Sequence, residues 1–380
     1  MKKFFSIVCA FAVALQITVV HAEPAAQTQL DIHAKSAVLM EASTGEILYE
    51  SNPDERLPIA SVTKIMTMLL IMEALDEGKI TLDEMVTASE RAKSMGGSTM
   101  FLETGEQLSV HDMLKGIAVA SANDGCVAMA EHIAGSEQGF VDMMNNRAKE
   151  LGMENTNFVN TNGLDDDNHY SSARDVALMS RELIKHEKIF EYTTIWTDSL
   201  RDGKFALANT NKLVRFYQGA NGLKTGSTSK AQCCLSATAL RNDMQLIAVV
   251  LGSPTSQERF SSASALLDYG FANYAVYKGV AQNEEVGVAP VLKGTEEQVH
   301  AVAKEDCTAL IGKGKQDSID KHVELAESLT APVQQGQVIG KLTLSLDGEQ
   351  LAQTDIIARD GIPKKSFGTM LMDVLKKLFQ

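Results

Sequence analysis

The hydrophobic period changes along this chain, and that change constrains the fold more strongly than any other sequence feature. Between residues 61 and 185, apolar residues recur three and four positions apart, which is typical of helices that bury one face. From Leu223 onward the pattern is that of strands, with apolar runs at 233–240 and 244–252. A helix is predicted again over 258–269. We therefore predict an α/β (α+β) domain in which a sheet is flanked by helices.

The first helix of this region starts within the segment LPIASVTKIMTMLL, residues 57–70, and is closed by Gly78. Before it, Ser36–Glu50 contains two strand-like runs around the turn residues 43–45, which predicts a hairpin. The other helices predicted for the middle of the chain are His111–Ala122, Gly125–Ile133, Phe140–Leu151 and Ala173–Lys185.

The N-terminus has the organisation of a secretory signal peptide. Residues 1–3 form a basic start, residues 4–20 form a mostly apolar run, and the small residue Ala22 follows. Cys9 lies inside the run without the small residues that lipid attachment needs before it. We predict cleavage after Ala22 and export to the outer face of the cytoplasmic membrane, on the periplasmic or cell-wall side.

Charge and cysteine content argue against several classes of protein. The formal net charge is −14, which repels nucleic acid, so we expect no nucleic-acid partner. The mature chain has too few cysteines for a disulfide scaffold, and we interpret them as core residues. No H-E-x-x-H pair is present, and we interpret Asp165–Asp167, near His169, as a solvated loop. We therefore expect no metal and no cofactor. The four cysteines in question are Cys126, Cys233, Cys234 and Cys307.

The last part of the chain has a different composition. After about residue 278 short Val-rich segments alternate with Gly and polar turns, which predicts a small all-β domain. Near the C-terminus apolar residues occupy one helical face and Lys376 and Lys377 the other, as in a helix lying on anionic lipid. A terminal helix packed on its own domain is the alternative. The predicted division is 1–22 signal peptide, 23–278 main domain, 279–360 β-rich domain and 361–380 amphipathic membrane-associating helix.

Ser61 and Lys64 lie three residues apart at the start of the first predicted helix. The same spacing occurs at Ser227–Lys230 and at Ser318–Lys321, so spacing alone decides nothing. Only Ser61 opens an apolar helix, where backbone N–H groups point outward and residues i and i+3 share a face. We interpret Ser61 as the candidate nucleophile.

A serine hydroxyl needs a base, and Lys64 can serve if its pKa falls from about 10.4 to roughly 7 or 8. Burial or a neighbouring cation would lower it, and the segment Lys224-Thr225-Gly226 offers that cation, with a glycine that lets a substrate approach the backbone. The segment Ser121-Ala122-Asn123 offers a hydroxyl that relays protons and an amide that holds a peptide group. The three motifs S-x-x-K, S-D-N and K-T-G together are typical of class A β-lactamases and penicillin-binding proteins. Here the middle motif reads S-A-N.

With these motifs the mature chain resembles the low-molecular-mass penicillin-binding proteins, the serine-type D-alanyl-D-alanine carboxypeptidases. The segments NTNGLDDDNHYSSARD, residues 160–175, and SQERFSSASALLDYGF, residues 256–271, extend the resemblance. It implies a serine β-lactamase/transpeptidase-like domain, followed by the small β domain and the C-terminal amphipathic helix. It also implies two partners: peptidoglycan stem peptides that end in D-Ala-D-Ala, and β-lactam antibiotics.

The resemblance implies a role for each residue of the site. Ser61 attacks the carbonyl between the two D-alanines, Lys64 is the base, and Ser121 passes a proton to the departing amine. The oxyanion rests on the backbone N–H groups of Ser61 and Ser227, and water then releases the acyl-enzyme. The residues implied to hold the substrate are Asn123 for the substrate amide, Lys224 for positive potential, Thr225 and Arg259 for the terminal carboxylate, and Gly226 and Ser227 along the strand.

Two departures from the family pattern are visible: Ser227 follows K-T-G where many relatives have histidine, and Ala122 replaces the usual glycine. Two other functions stay open. One is a serine β-lactamase, disfavoured because residues 163–175 lack the glutamate and asparagine spacing of its deacylating segment. The other is a binding module that has lost hydrolysis. A large transpeptidase is disfavoured because Ser61 lies too close to Glu23 for an N-terminal domain.

Overall fold

The computed structural model describes the backbone of residues 30–378 and the side chains of residues 30–372. The predicted signal peptide and its cleavage site lie outside the described residues. The helices are α1 Lys64–Asp76, α2 Glu90–Lys93, α3 Val110–Ala120, α4 Asn123–Ala134, α5 Glu137–Glu150, α6 Ala173–Leu183, α7 Phe190–Thr193, α8 Leu213–Phe216, α9 Ser256–Asn273 and α10 Phe367–Leu378. Short 3₁₀ helices cover Ala60–Thr63, Glu187–Ile189 and Gln316–Ser318.

Along the chain, the strands β1 to β9 precede α9 and the strands β10 to β17 follow it. They are β1 Ser36–Glu41, β2 Ile47–Ser51, β3 Met85–Thr87, β4 Gln107–Ser109, β5 Thr197–Leu200, β6 Phe205–Ala208, β7 Ala220–Thr228, β8 Gln232–Arg241, β9 Met244–Ser253, β10 Tyr274–Val280, β11 Glu285–Leu292, β12 Gln298–Ala303, β13 Cys307–Gly312, β14 Ile319–Leu325, β15 Leu329–Thr330, β16 Val338–Leu346 and β17 Glu349–Ala358.

A five-stranded antiparallel sheet in the order β2-β1-β9-β8-β7 carries the first core. In its middle strand, β9, every residue except Gln245 is buried, so the strand reads as an apolar run rather than an alternation. The helices α6 and α9 pack on β9 and cover it. At one edge, β7 lies beside the 3₁₀ helix Ala60–Thr63, and this contact brings the candidate nucleophile to the sheet.

Most elements of this region match the sequence predictions. The predicted hairpin is formed by β1 and β2, and the helices predicted for the middle of the chain are α3 to α6. The predicted strands on either side of 241–243 are β8 and β9. Three of the four cysteines, Cys126, Cys234 and Cys307, are buried, whereas Cys233 is half-buried, and all four are free thiols.

A second hydrophobic core forms after α9, within a six-stranded sheet in the order β14-β16-β17-β12-β11-β15. Neighbouring strands are antiparallel except for the parallel pair β11 and β15. The strand β10, which follows α9 directly, pairs with β13. The predicted boundary at residue 278 lies inside β10.

Of the C-terminal segment predicted as one amphipathic helix, residues 361–380, the part that is helical in the structure is Phe367–Leu378. Ile362 and Lys364 instead form bridges with Val333 and Gly294 of the β-rich region, because Ile362 is buried in the second core. The helix exposes Phe367, Leu371 and Met372 at half or more of their surface. Among residues 30–378, no helix combines the length and hydropathy needed to cross a bilayer.

Candidate active site

Ser61 lies in the 3₁₀ helix Ala60–Thr63, and α1 begins only at Lys64. The sequence predicted both residues in the first turn of one α-helix, whereas the structure places Ser61 in a separate, tighter 3₁₀ helix. A 3₁₀ helix has three residues per turn, which places residues i and i+3 above one another. The Lys64 Nζ is therefore 2.9 Å from the Ser61 Oγ.

Lys64 is completely buried and its amine faces three oxygen atoms. Besides Ser61 Oγ, these are Asn123 Oδ1 at 2.7 Å and the backbone carbonyl of Asn162 at 2.6 Å. An ammonium fills all three with its three N–H bonds. A neutral amine has only two N–H bonds, and both amide oxygens can only accept, so its lone pair then faces the Ser61 hydroxyl. Burial lowers the pKa of Lys64 to about 8, within the range that a base requires.

Ser121 and Asn123 lie at the corner between α3 and α4. Ser121 ends α3 in the left-handed conformation, with φ 63°, and this sharp turn lets α4 begin at Asn123. The Asn123 Nδ2 donates to the Gly96 carbonyl at 2.7 Å, which fixes the side-chain oxygen toward Lys64. The Ser121 hydroxyl forms no hydrogen bond with any residue in the described part of the chain, 30–378. It is therefore available to an incoming group.

The corner also holds a neighbouring loop through Asp124, which is buried. Its carboxylate accepts backbone N–H bonds from Met100 and Leu102 at 3.0 Å. Arg201 donates from the other side to the carbonyls of Met100 and Phe101. The loop before Leu102 is thus fixed by charged groups although it has no regular structure.

The strand β7 carries Lys224, Thr225 and Gly226. Lys224 is buried, and burial lowers its pKa well below the usual value, assisted by the nearby charge of Lys64. A positive charge on Lys64 therefore disfavours the charged form of Lys224. The Thr225 hydroxyl donates to the Thr210 hydroxyl at 2.6 Å.

Gly226 is required by the closeness of β7 to the nucleophile. A Cβ at this position would lie 2.6 Å from the Ile59 carbonyl oxygen and 3.0 Å from the Ser61 backbone nitrogen. Any side chain would therefore push β7 away from the Ser61 turn. Ser227 is the next residue of β7 and is exposed, so its backbone N–H lies on the same strand, one residue beyond the contact with the Ser61 turn.

Arg259 lies in the first turn of α9, next to the K-T-G strand. Its guanidinium donates to the carbonyl oxygens of Gly226 at 3.1 Å and Cys234 at 3.3 Å, and to the hydroxyl of Ser256 at 3.0 Å. Burial lowers its pKa, and it stacks on Phe260 at 4.6 Å. Arg259 forms no direct contact with Ser61, Lys64 or Ser121. It anchors the backbone on which Thr225 and Gly226 lie.

The sequence did not predict a role in the site for the loop at residues 158–171. This loop supplies the Asn162 carbonyl to Lys64, and Gly163 packs on the Ala60 carbonyl so closely that a Cβ would lie 1.9 Å from its oxygen. Asp165 accepts from the Thr228 hydroxyl and Asp167 from Lys230, at 2.7 and 2.6 Å. The acidic run is exposed, as predicted, but it also joins the loop to the β7–β8 turn. The glycine was the only local signal of this contact.

Comparison with known proteins shows which family shares this sequence. Residues 22–255 match the family described as D-alanyl-D-alanine carboxypeptidase, and residues 274–364 match the penicillin-binding protein 5 C-terminal domain. The D-alanyl-D-alanine carboxypeptidase DacF of Bacillus subtilis is 47% identical over 348 residues, covering 90% of each chain. DacC of Escherichia coli is 35% identical over 356 residues, covering 92% of this chain and 89% of that protein.

Solved structures give the same result. Penicillin-binding protein 5 from Haemophilus influenzae superposes with a TM-score of 0.76 at 37% identity, covering 88% of this chain and 98% of that one. Penicillin-binding protein D2 from Listeria monocytogenes, solved in its ampicillin-bound form, has a TM-score of 0.59 at 34% identity, covering 64% and 99%. The α/β fold with a following β domain that the sequence predicted is confirmed. This chain belongs to the D-alanyl-D-alanine carboxypeptidase family of penicillin-binding proteins.

Proposed function

We propose that this protein is a serine-type carboxypeptidase that removes the terminal D-alanine from peptidoglycan stem peptides through an acyl-enzyme. We further propose that β-lactams inhibit it by acylating the same serine. The observation that carries the proposal is the 2.9 Å contact between Ser61 Oγ and the buried amine of Lys64, whose pKa is about 8. The family and the ampicillin-bound structure of a relative support it.

In the acylation step, Ser61 Oγ forms a bond to the carbonyl carbon between the two D-alanines while its proton moves to the Lys64 lone pair. The backbone N–H groups of Ser61 and Ser227 are the proposed oxyanion donors, each typically worth about 3 kcal/mol in the transition state. The close packing of Gly226 on the Ser61 nitrogen supports this pairing, since it holds β7 beside the nucleophile.

Collapse of the tetrahedral intermediate breaks the C–N bond, and the leaving amine takes up a proton. Ser121 is the proposed relay, because its hydroxyl has no hydrogen-bond partner within residues 30–378 and it belongs to the same corner as Asn123, a direct partner of Lys64. The proton that Lys64 took from Ser61 thereby passes to the D-alanine amine. Lys64 is neutral again when water attacks the acyl-enzyme, and Ser61 recovers its proton in that second step.

Recognition of a free chain end is the proposed task of β7. Thr225 and Lys224 are neighbours on this strand, and a carboxylate arriving there would raise the pKa of Lys224 and favour its charged form. We assign Arg259 to the same carboxylate through its hold on the Gly226 carbonyl. Asn123 would orient the substrate amide with the second N–H of its Nδ2, since the first donates to the Gly96 carbonyl.

Export and a membrane-surface location complete the proposal. The N-terminal segment supports export on sequence grounds, and the exposed apolar residues Phe367, Leu371 and Met372 of α10 support binding of this helix to a lipid surface. Lys364, Lys376 and Lys377 add positive charge for anionic headgroups.

The test is to incubate the purified protein with a peptide ending in D-Ala-D-Ala and to measure released D-alanine, with Ser61→Ala as the control. Release by the wild type and not by the variant supports the proposal. Stable penicillin labelling without release would instead indicate a binding module. Rapid turnover of penicillin without D-alanine release would indicate a β-lactamase.

A further inference from the structure

His169 is a buried histidine that the proposed mechanism does not use. It is 3% exposed and lies in the loop that follows Phe158. The Val159 backbone N–H donates to its Nδ1 at 3.2 Å, so this nitrogen carries no proton and the neutral ring carries its proton on Nε2. The Nε2 is 2.7 Å from the Thr63 hydroxyl and donates to it. Both ring nitrogens are thus occupied by protein groups.

The partner of His169 places it close to the reacting groups. Thr63 is fully buried and directly precedes Lys64 in the turn that carries Ser61. The loop of His169 also contributes the Asn162 carbonyl, which is 2.6 Å from the Lys64 amine. The loop and the turn therefore meet through two hydrogen bonds, one at Lys64 itself and one at its neighbour.

We propose that His169 is a positioning residue: by joining the loop to Thr63 it fixes the Asn162 carbonyl against Lys64 and so sets the basicity of that lysine. The inference rests on the proposed function, in which Lys64 is the base. A carbonyl oxygen that accepts from an amine stabilises the ammonium form over the neutral form. A looser carbonyl would lower the pKa of Lys64 and would also let the lone pair turn away from Ser61.

The charge of Lys64 explains why the hydrogen-bond donor at position 169 is a neutral ring. Burial lowers the pKa of His169 to about 4, the charge of Lys64 lowers it as well, and the nearby carboxylates of Asp166 and Asp165 oppose this. The ring therefore stays uncharged where the carboxypeptidase operates, and it donates to Thr63 without adding a second cation beside Lys64. A cationic side chain here would disfavour the ammonium form of Lys64 directly.

The test compares three variants of the full chain. His169→Leu removes both hydrogen bonds at similar volume, whereas His169→Gln keeps an amide that can donate toward Thr63 and accept from Val159. Asn145→Leu is the matched control, because Asn145 binds both the N–H and the carbonyl of Phe158 at 2.8 Å and so anchors the same loop to α5. The readouts are the acylation rate by a fluorescent penicillin as a function of pH, and thermal unfolding.

We expect His169→Leu to lower the limiting acylation rate about tenfold and to move the apparent pKa of the rate downward by about half a unit or more. His169→Gln should return both values toward those of the wild type, and Asn145→Leu should lower the unfolding temperature without moving the apparent pKa. An unmoved pKa in His169→Leu, or an equal shift in Asn145→Leu, would overturn the inference. Failure of the wild type to be acylated at all would overturn the proposed function instead.

Discussion

The pH dependence of acylation follows directly from the surroundings of Lys64. Burial lowers its pKa from 10.5 to about 8, and only the neutral amine can accept the Ser61 proton. The neutral fraction is then about one-tenth at pH 7 and about nine-tenths at pH 9, so the acylation rate should rise about tenfold between them. The measurement is the second-order rate constant with a fluorescent penicillin across this range.

The same shift has a stability consequence with a definite sign. Above pH 10.5 Lys64 is neutral in both the folded and the unfolded chain and contributes nothing. As the pH falls from 10.5 toward about 8, the unfolded chain binds a proton that the folded chain does not, so folding loses up to about 3 kcal/mol. The free energy of unfolding should therefore rise with pH in this window.

Lys64→Met provides the control for both measurements, since it keeps the side-chain volume and removes the titrating group. The slope of unfolding free energy against pH between about 8 and about 10 should be smaller in this variant than in the wild type. Lys64→Met also removes the charge that helps to lower the pKa of Lys224, so the difference between the two slopes reports Lys64 together with its effect on Lys224. A wild-type acylation rate that is flat from pH 7 to pH 9, or that rises only near 10.5, would refute the reasoning.

Three further predictions concern other parts of the chain. Gly163 has φ +87°, and an alanine Cβ there would lie 1.9 Å from the Ala60 oxygen, so Gly163→Ala should lower both the unfolding temperature and the acylation rate. Gly78 has φ +68° and open space around it, so the control Gly78→Ala should lower the free energy of unfolding by only about 1 kcal/mol and leave acylation unchanged. Arg259→Leu should lower kcat/KM about tenfold more for a peptide ending in a free carboxylate than for the same peptide ending in an amide, and equal losses would contradict the carboxylate role. Deletion of 367–380 should leave activity in solution and move the protein out of the membrane fraction, and continued sedimentation with membranes would contradict the lipid-surface role.

The sequence predicted the site where chemistry depends on side-chain identity and short spacing. Ser61 and Lys64 are close because one turn of helix separates them, and residues three apart share a face in both 3₁₀ and α-helices. The motif residues Asn123 and Lys224 carry functional groups that only a few residue types possess. The three motifs in this order along the chain therefore predicted the site from the sequence alone.

The parts that the sequence did not predict depend on backbone atoms and on long-range packing. The Asn162 carbonyl is a partner of Lys64, yet every residue has a carbonyl, so no letter in the sequence marks it. His169 could be interpreted only as part of an acidic loop, because its contact with Thr63 joins positions 106 residues apart. The direction in which the Arg259 guanidinium points is likewise set by the packing of α9 on the sheet.

The most direct test of the account is to identify the residue that a penicillin acylates, by digestion and mass spectrometry of the inactivated protein. The account predicts one penicilloyl group, on the peptide that contains Ser61, with no adduct in Ser61→Ala. An adduct on another serine, such as Ser121 or Ser227, or an undiminished adduct in Ser61→Ala, would contradict the claim that Lys64 activates Ser61.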